Sequence, residues 1–347
     1  MANPFRLPTE STPPTTASAM VRAALGALGV LVLANLAAGP FLAQATPNEG
    51  YRLIAEKWRL VEAQTAPVDW LLLGDSSCNQ GLDPAGFRAA GLGSALNLCT
   101  IGDLLTLNDA WMLDSVIAHA GPPRRGVVVT HVYDMWHRAP NPSLLGKVPL
   151  PWGFWAQGAA AIKLRPEQQW RVLLARYAPL YEESASLATA LRAGPGAWSP
   201  GPVTDAAGFK AEVEANPEAV AKDVRAHQAF VAKAHFKLSA ANEAGLEALL
   251  TAADARGFDV YLVNSPLIEG LDADPAFTGY YADVVASLQA HVAGHRRAHL
   301  LLAAPMTFPA AEMVNADHLT VAGAERFTAR VIDEIGRSAA DGAGQPR

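Results

Sequence analysis

A serine becomes a nucleophile only where a base takes its proton and a set of donors receives the negative charge its attack creates. Leu71-Leu72-Leu73-Gly74-Asp75-Ser76-Ser77 offers the first half of such a site, because an apolar run ends in a sharp Gly-Asp turn and Ser76 follows at once. A helix starting there sets free backbone N–H groups and the positive end of the helix dipole beside the Ser76 hydroxyl. Asp and Ser are also favoured N-caps, so a turn that merely caps a helix is the competing reading. Near the other end, Asn315-Ala316-Asp317-His318-Leu319-Thr320 places an imidazole just ahead of an amphipathic stretch, Ala322 to Ile335. A loop that follows a last strand brings His318 to the sheet edge holding Ser76, where it serves as general base. The chain has nine histidines, so position and context single out His318 rather than residue type.

The elements that must position this pair are legible as short apolar runs at Val68 to Leu73, Ala95 to Leu98, Gly126 to Val132, Phe258 to Val263 and Ala298 to Leu302. Continuous runs of that length are buried parallel strands. Helical patterns separate most of them, notably Leu104 to Ala120 and Asn242 to Arg256, the latter closed by Gly257. Such alternation predicts a doubly wound α/β sheet. Glu49 to Gln64 reads as an amphipathic helix or stalk. Residues 138–240 break the pattern with Pro, Gly and Trp-rich stretches and read as a mainly helical insertion within a domain spanning residues 51–340. It follows the third strand, so it rises from the C-terminal edge of the sheet, where open α/β folds bind ligands, as a lid or a partner-docking element. Trp152, Phe154 and Trp155 in it suit either a small core or a membrane interface.

These blocks, strand-Gly-Asp-Ser near the start and Asp-His-Leu with a following Gly-Ala near the end, resemble the SGNH/GDSL hydrolase superfamily. The resemblance implies a flavodoxin-like three-layer α/β/α sandwich with a parallel sheet, Ser76 as nucleophile and His318 as base. It also implies that the Gly102 N–H joins Ser76 in the oxyanion hole. Two positions depart from the family pattern. Asn315 stands where Asp is usual, three residues before His318, and Asp317 is adjacent to the histidine, where extended neighbours diverge and Asp317 is expected to miss Nδ1. The third block reads Thr130-His131-Val132-Tyr133-Asp134 and holds no asparagine, leaving His131 as a speculative third oxyanion donor. Asp75, His131 and Asp134 are candidate lining residues or ordinary strand-end polar groups. The resemblance extends to membrane-anchored proteins of D-alanyl transfer and alginate O-acetylation. It thereby implies acyl transfer onto a cell-envelope polymer beside a membrane-bound O-acyltransferase, without a cofactor. An extracytoplasmic carboxylic-ester hydrolase and a catalytically impaired scaffold that binds glycan or partner are the alternatives.

Composition narrows the setting. Of 347 residues, 27 are Lys or Arg and 33 Asp or Glu, a net charge of −6 with no basic run interleaved with aromatics, so nucleic acid is not expected as a partner. After a polar leader (1–20), residues 21–43 read as a bilayer-spanning anchor. Its apolar core, Val21 to Leu42, has Asn35 as its one polar side chain after Arg22. A secretory signal is the other reading, with Pro40 breaking the helix ahead of a cleavage site at Ala43-Gln44-Ala45. Arg6 lies ahead of the segment and Arg22 at its very start, and the next basic residue is Arg52, which predicts a single-pass protein of the inner membrane with its domain in the periplasm. The export compartment permits Cys78 and Cys99 to pair. His291 and His295 share a helix face but lack a third ligand, so no metal site is expected.

Overall fold

A computed structural model describes residues 16–149, 164–194 and 201–343; Trp152, Phe154, Trp155 and most of the leader lie outside these. Strands β1 (Trp70–Gly74), β2 (Ala95–Asn97), β3 (Gly126–His131), β4 (Asp259–Asn264) and β6 (Ala298–Leu301) form one parallel sheet in the order β2-β1-β3-β4-β6. Counted along the chain this is the 2-1-3-4-5 order of flavodoxin-like folds, with its switch point between β1 and β3. A minor parallel pair, β5 (Leu267–Ile268) with β7 (Thr307–Phe308), sits beside the sheet. Leu71 to Leu73 and Val127 to Val129 are fully buried, as strands covered on both faces require. Each contributes about 1.5–3 kcal/mol of apolar burial.

The covering helices are α2 (Glu49–Ala63), α3 (Ser76–Gly81), α4 (Pro84–Ala89), α5 (Leu105–Ala120), α11 (Ala240–Arg256), α12 (Pro275–Val292) and α13 (Val321–Ala343). On one face α2 and α11 both pack on α5, and on the other α13 packs on α3 and α4, giving the three-layer sandwich. Gly257 closes α11 in the left-handed conformation that a Cβ disfavours.

The insertion is helical, with α6 (Pro142–Leu145), α7 (Pro166–Tyr177), α8 (Pro179–Glu182), α9 (Ser184–Ala193) and α10 (Pro217–Val231). Its 203–216 segment is sewn to the sheet edge: the Asn97 N–H donates to the Ala207 carbonyl at 2.9 Å, and the Lys210 N–H to the Asn79 carbonyl at 3.1 Å. Beneath it the buried Lys57 ammonium donates to Asn79 Oδ1, to both oxygens of Asn97 and to the Gly208 carbonyl. Burial lowers the Lys57 pKa well below its ordinary value. One side chain thus ties α2, α3, β2 and the insertion together.

The first helix, α1 (Thr16–Ala45), holds a 26-residue stretch, Ala17–Leu42, long and apolar enough to cross a membrane, with a mean hydropathy of 1.9 and almost none of it buried. The helix runs through Pro40, against the expectation of a break. A proline removes one backbone N–H, but the flanking turn is braced: Gly39 lies against Pro179 and Leu42 is buried.

Candidate active site

Gly74 ends β1 at φ +143°, and a Cβ there would lie 1.9 Å from the Thr130 carbonyl oxygen, so only glycine lets β1 turn this tightly beside β3. The Asp75 N–H then donates to that same carbonyl, and the Asp75 carboxylate caps α3 by accepting from the Ser77 N–H at 2.9 Å. Ser77 Oγ donates to the same carboxylate oxygen, while the other accepts the Val132 N–H at 2.7 Å. Asp75 is therefore a buried clamp between the start of α3 and the end of β3. From Trp70 to Leu82 every residue is buried except Ser76, the first residue of α3. Ser76 is thus the one partly exposed residue of this turn.

Gly102 opens a 3-10 turn, Gly102–Leu104, that leads into α5. A Cβ on it would stand 3.6 Å from Asp75 Cβ and 3.6 Å from Arg138 Nη1, so this turn lies directly against the serine turn. Cys78 and Cys99 are joined, with Cα atoms 5.7 Å apart, which locks α3 to the loop that carries Gly102. Leu105, next in the chain, holds a positive φ of 63°, a strained conformation of the kind that collects at functional sites.

His318 sits in a loop closed by an antiparallel bridge between Met313 and Leu319, and Leu319 packs toward Gly81 of α3. His318 Nδ1 lies 2.7 Å from Asp317 Oδ1 and 2.7 Å from Asn315 Oδ1. Asp317 does reach the imidazole, contrary to the sequence expectation. The reason is local: Asn315 Oδ1 also accepts the N–H groups of Asp317 and His318, folding the loop so that neighbouring side chains converge. With Nδ1 engaged, Nε2 is the ring nitrogen left to meet a hydroxyl. Burial lowers the His318 pKa, but the Asp317 carboxylate outweighs it and the net shift is upward; Asp75 adds to the rise and Lys210 opposes it. Burial raises the Asp317 pKa, but the charge and hydrogen bond of His318, with His227, together outweigh it and the net shift is downward.

His131 is not an oxyanion donor. It is buried, its Nε2 2.6 Å from Asp109 Oδ2 and its Nδ1 3.5 Å from Asp75 Oδ2, so both ring nitrogens face carboxylates beneath the serine turn. Burial lowers its pKa, yet the two acids raise it overall to about 9. Asp75 is held at about 2, its burial outweighed by His131 and by the donors of Ser77 and Val132. Burial raises Asp109. Asp134 pairs with Arg138 at 2.6 Å, and Arg138 Nη1 reaches Asp103 at 3.2 Å, placing a guanidinium beside Gly102.

Sequence reasoning missed Asp109, Arg138, Lys210 and His227. His227 of α10 is 2.8 Å from the Tyr133 hydroxyl and acts electrostatically on Asp317, so the insertion does roof this edge. None of the four lies within a short motif; Arg138, i+4 from Asp134, carried the one local signal.

The approach of the chain is part of the geometry. Asn48 caps α2 by accepting the Tyr51 N–H, and a Cβ on Gly50 would meet Ile101 Cδ1 at 3.6 Å. Glu49 pairs with Lys210 at 2.8 Å. The start of α2, a few residues after α1 ends at Ala45, therefore meets the C-terminal edge of the sheet at Ile101, the neighbour of Gly102.

No family model matches the chain, and no curated protein matches it. A solved structure from Streptococcus pneumonia, provisionally named a platelet activating factor, aligns over 88% of this chain and 98% of its own at 11% identity, with a TM-score of 0.38. That likeness is too slight to bear on fold or activity.

Proposed function

We propose that the protein is an SGNH-type serine acyltransferase of the cell envelope, held at the inner membrane by α1 with its domain in the periplasm. Ser76 Oγ attacks the carbonyl carbon of an acyl donor as His318 Nε2 takes its proton. The Ser76 and Gly102 N–H groups receive the oxyanion. The donor's leaving group departs with that proton, leaving acyl-Ser76. A polymer hydroxyl then attacks the acyl carbon, its proton passes to His318, and on collapse returns to Ser76 Oγ with release of the acylated polymer. No step needs a cofactor.

The observation that carries this reading is the shared edge: soon after α1 ends at Ala45, Gly50 meets Ile101, beside the Gly102 turn that lies against the serine turn. A donor handed over by a membrane-bound O-acyltransferase arrives on that side. Asp317 on His318 Nδ1 supports an active base and weighs against an impaired scaffold.

The test is labelling of the full chain in nanodiscs with a fluorophosphonate, beside Ser76→Ala and His318→Ala. Expected is one label at Ser76, absent in the first variant and slowed roughly 10²–10⁴-fold in the second. A folded chain that takes no label sinks the proposal. Release of free acid from an aryl acetate, with no transfer to added polysaccharide, would make water the acceptor and the protein an esterase.

A further inference from the structure

Five large side chains of α7, α8 and α9 lie open to solvent: Trp170, Leu174 and Tyr177 on α7, Tyr181 on α8 and Leu191 on α9. On α7 the three follow an i, i+4, i+7 spacing and share one face, while Val172 and Ala175 on the opposite face are buried against α6. Arg171 and Arg176 flank the exposed face on either side. An outward stripe of Trp, Tyr and Leu edged by arginine is unfavourable in water and matches a bilayer interface.

The position of α8 says which surface covers it. The Leu180 N–H donates to Asn35 Oδ1 at 3.1 Å, and Asn35 Nδ2 donates to the Leu31 carbonyl, so the one polar side chain of the apolar run beyond Arg22 is satisfied in part by the insertion. Thr46 and Lys147 both bond Glu183, just after α8. The insertion thus packs along α1 from Asn35 to its end. Ala17–Leu42 is 26 residues, about 39 Å of helix, roughly 9 Å more than the ~30 Å hydrocarbon core. Asn35 to Leu42 rises about 10 Å, so α8 meets α1 within about 10 Å of the end of the span. That depth is the headgroup region, where tryptophan and tyrosine collect.

The geometry points to a second membrane contact: α7, α8 and α9 lie on the bilayer with Trp170, Leu174, Tyr177, Tyr181 and Leu191 in the headgroup–acyl boundary, fixing the domain's tilt so that its Ser76 edge faces the membrane. This rests on α1 spanning the bilayer. A cleft of about 350 Å³ between α1 and α7, lined by Leu42, Tyr51, Lys147, Arg176 and Tyr177, opens beside this face.

Both native thiols are joined to each other, so one added cysteine can be labelled selectively. Full-length Leu174→Cys and Leu191→Cys, each carrying an environment-sensitive fluorophore, are reconstituted in vesicles of phosphatidylethanolamine and phosphatidylglycerol and quenched with shallow doxyl lipids. Ala118→Cys, exposed near the far end of α5, is the reference. Retention through an alkaline wash reports the anchor. Expected is retention, with quenching at 174 and 191 about threefold or more above that at 118, as burial ~5–10 Å into the interface requires. Retention with equal quenching at all three sites overturns the membrane contact and leaves the anchor standing. Loss of protein in the wash overturns both.

Discussion

Asp317 and Asn315 divide a task that a single aspartate usually performs. Asn315 folds the loop by accepting two backbone N–H groups, and Asp317 supplies the charge that steadies an imidazolium. The consequence for pH is specific. A base works in its neutral form, and His318 is shifted upward by Asp317, so the labelling rate rises with pH through a midpoint above the ordinary histidine value near 6.5. Asp317→Asn removes the charge but keeps the size; the plateau should fall roughly 10²–10⁴-fold and the midpoint move to lower pH. Rate against pH for the two proteins with the same fluorophosphonate checks this, and an unmoved midpoint would assign the charge to another group. His131 makes a contrasting prediction, one of stability. Its pKa of about 9 exceeds the unfolded value, so its contribution is full below about 6.5 and fades as pH rises through 9. Asp75, at about 2, contributes above roughly 4 and loses that only as pH falls through 2. Urea midpoints should therefore decline between pH 7 and 9, and His131→Leu, which leaves two buried carboxylates facing each other, should cost about 3–5 kcal/mol.

At the scale of elements, the start of α3 is held from three sides: by Gly74 through backbone shape, by Asp75 through hydrogen bonds to Ser77 and Val132, and by the Cys78–Cys99 bridge. Gly74→Ala drives a Cβ into the Thr130 carbonyl and should lose more than about 4 kcal/mol or fail to fold. Gly91→Ala, also at positive φ but with open space around it, should lose only about 1–2 kcal/mol. Thermal unfolding of the pair separates collision from strain. The bridge closes a loop of 21 residues, so Cys99→Ser should cost about 3 kcal/mol by chain entropy, measured as the change in urea midpoint. These elements were readable because their signals are local. Each of the five strands is a short apolar run, and the turn and cap residues of α3 are consecutive in sequence. The Asp109–His131–Asp75 stack was not readable, since its members come from α5, β3 and the serine turn and meet only when the sheet forms. The convergence of Asp317 on His318 was missed because the side chain of Asn315, rather than the backbone pattern, bends that loop. Pro40 misled because the turn it sits in packs, at Gly39, against Pro179 of α8, about 140 positions further along the chain, a contact that no local pattern reveals.

For the whole molecule, the question is what α1, the proposed anchor, adds to the proposed Ser76–His318 site. Ser76, Gly102 and His318 are placed by β1, the β2–α5 loop and the loop before α13, none of which depends on residues before Asn35. A chain beginning at Asn35 keeps the Leu180 hydrogen bond and the Thr46–Glu183 contact, so its fold and its intrinsic reactivity should persist. What it loses is confinement. A short tether holds a partner's product at an effective concentration in the millimolar range, whereas the free domain meets it at its bulk concentration. At micromolar protein, acyl transfer from membrane to polymer should fall roughly 10²–10³-fold. Fluorophosphonate labelling should stay within about twofold, because that chemistry needs only the local groups. Comparing both rates, in membranes prepared with the full chain and with the shortened one, distinguishes a tether from a structural support. A parallel loss of both would mean that α1 holds the site in shape, and equal persistence of both would mean that the acyl donor reaches Ser76 from solution.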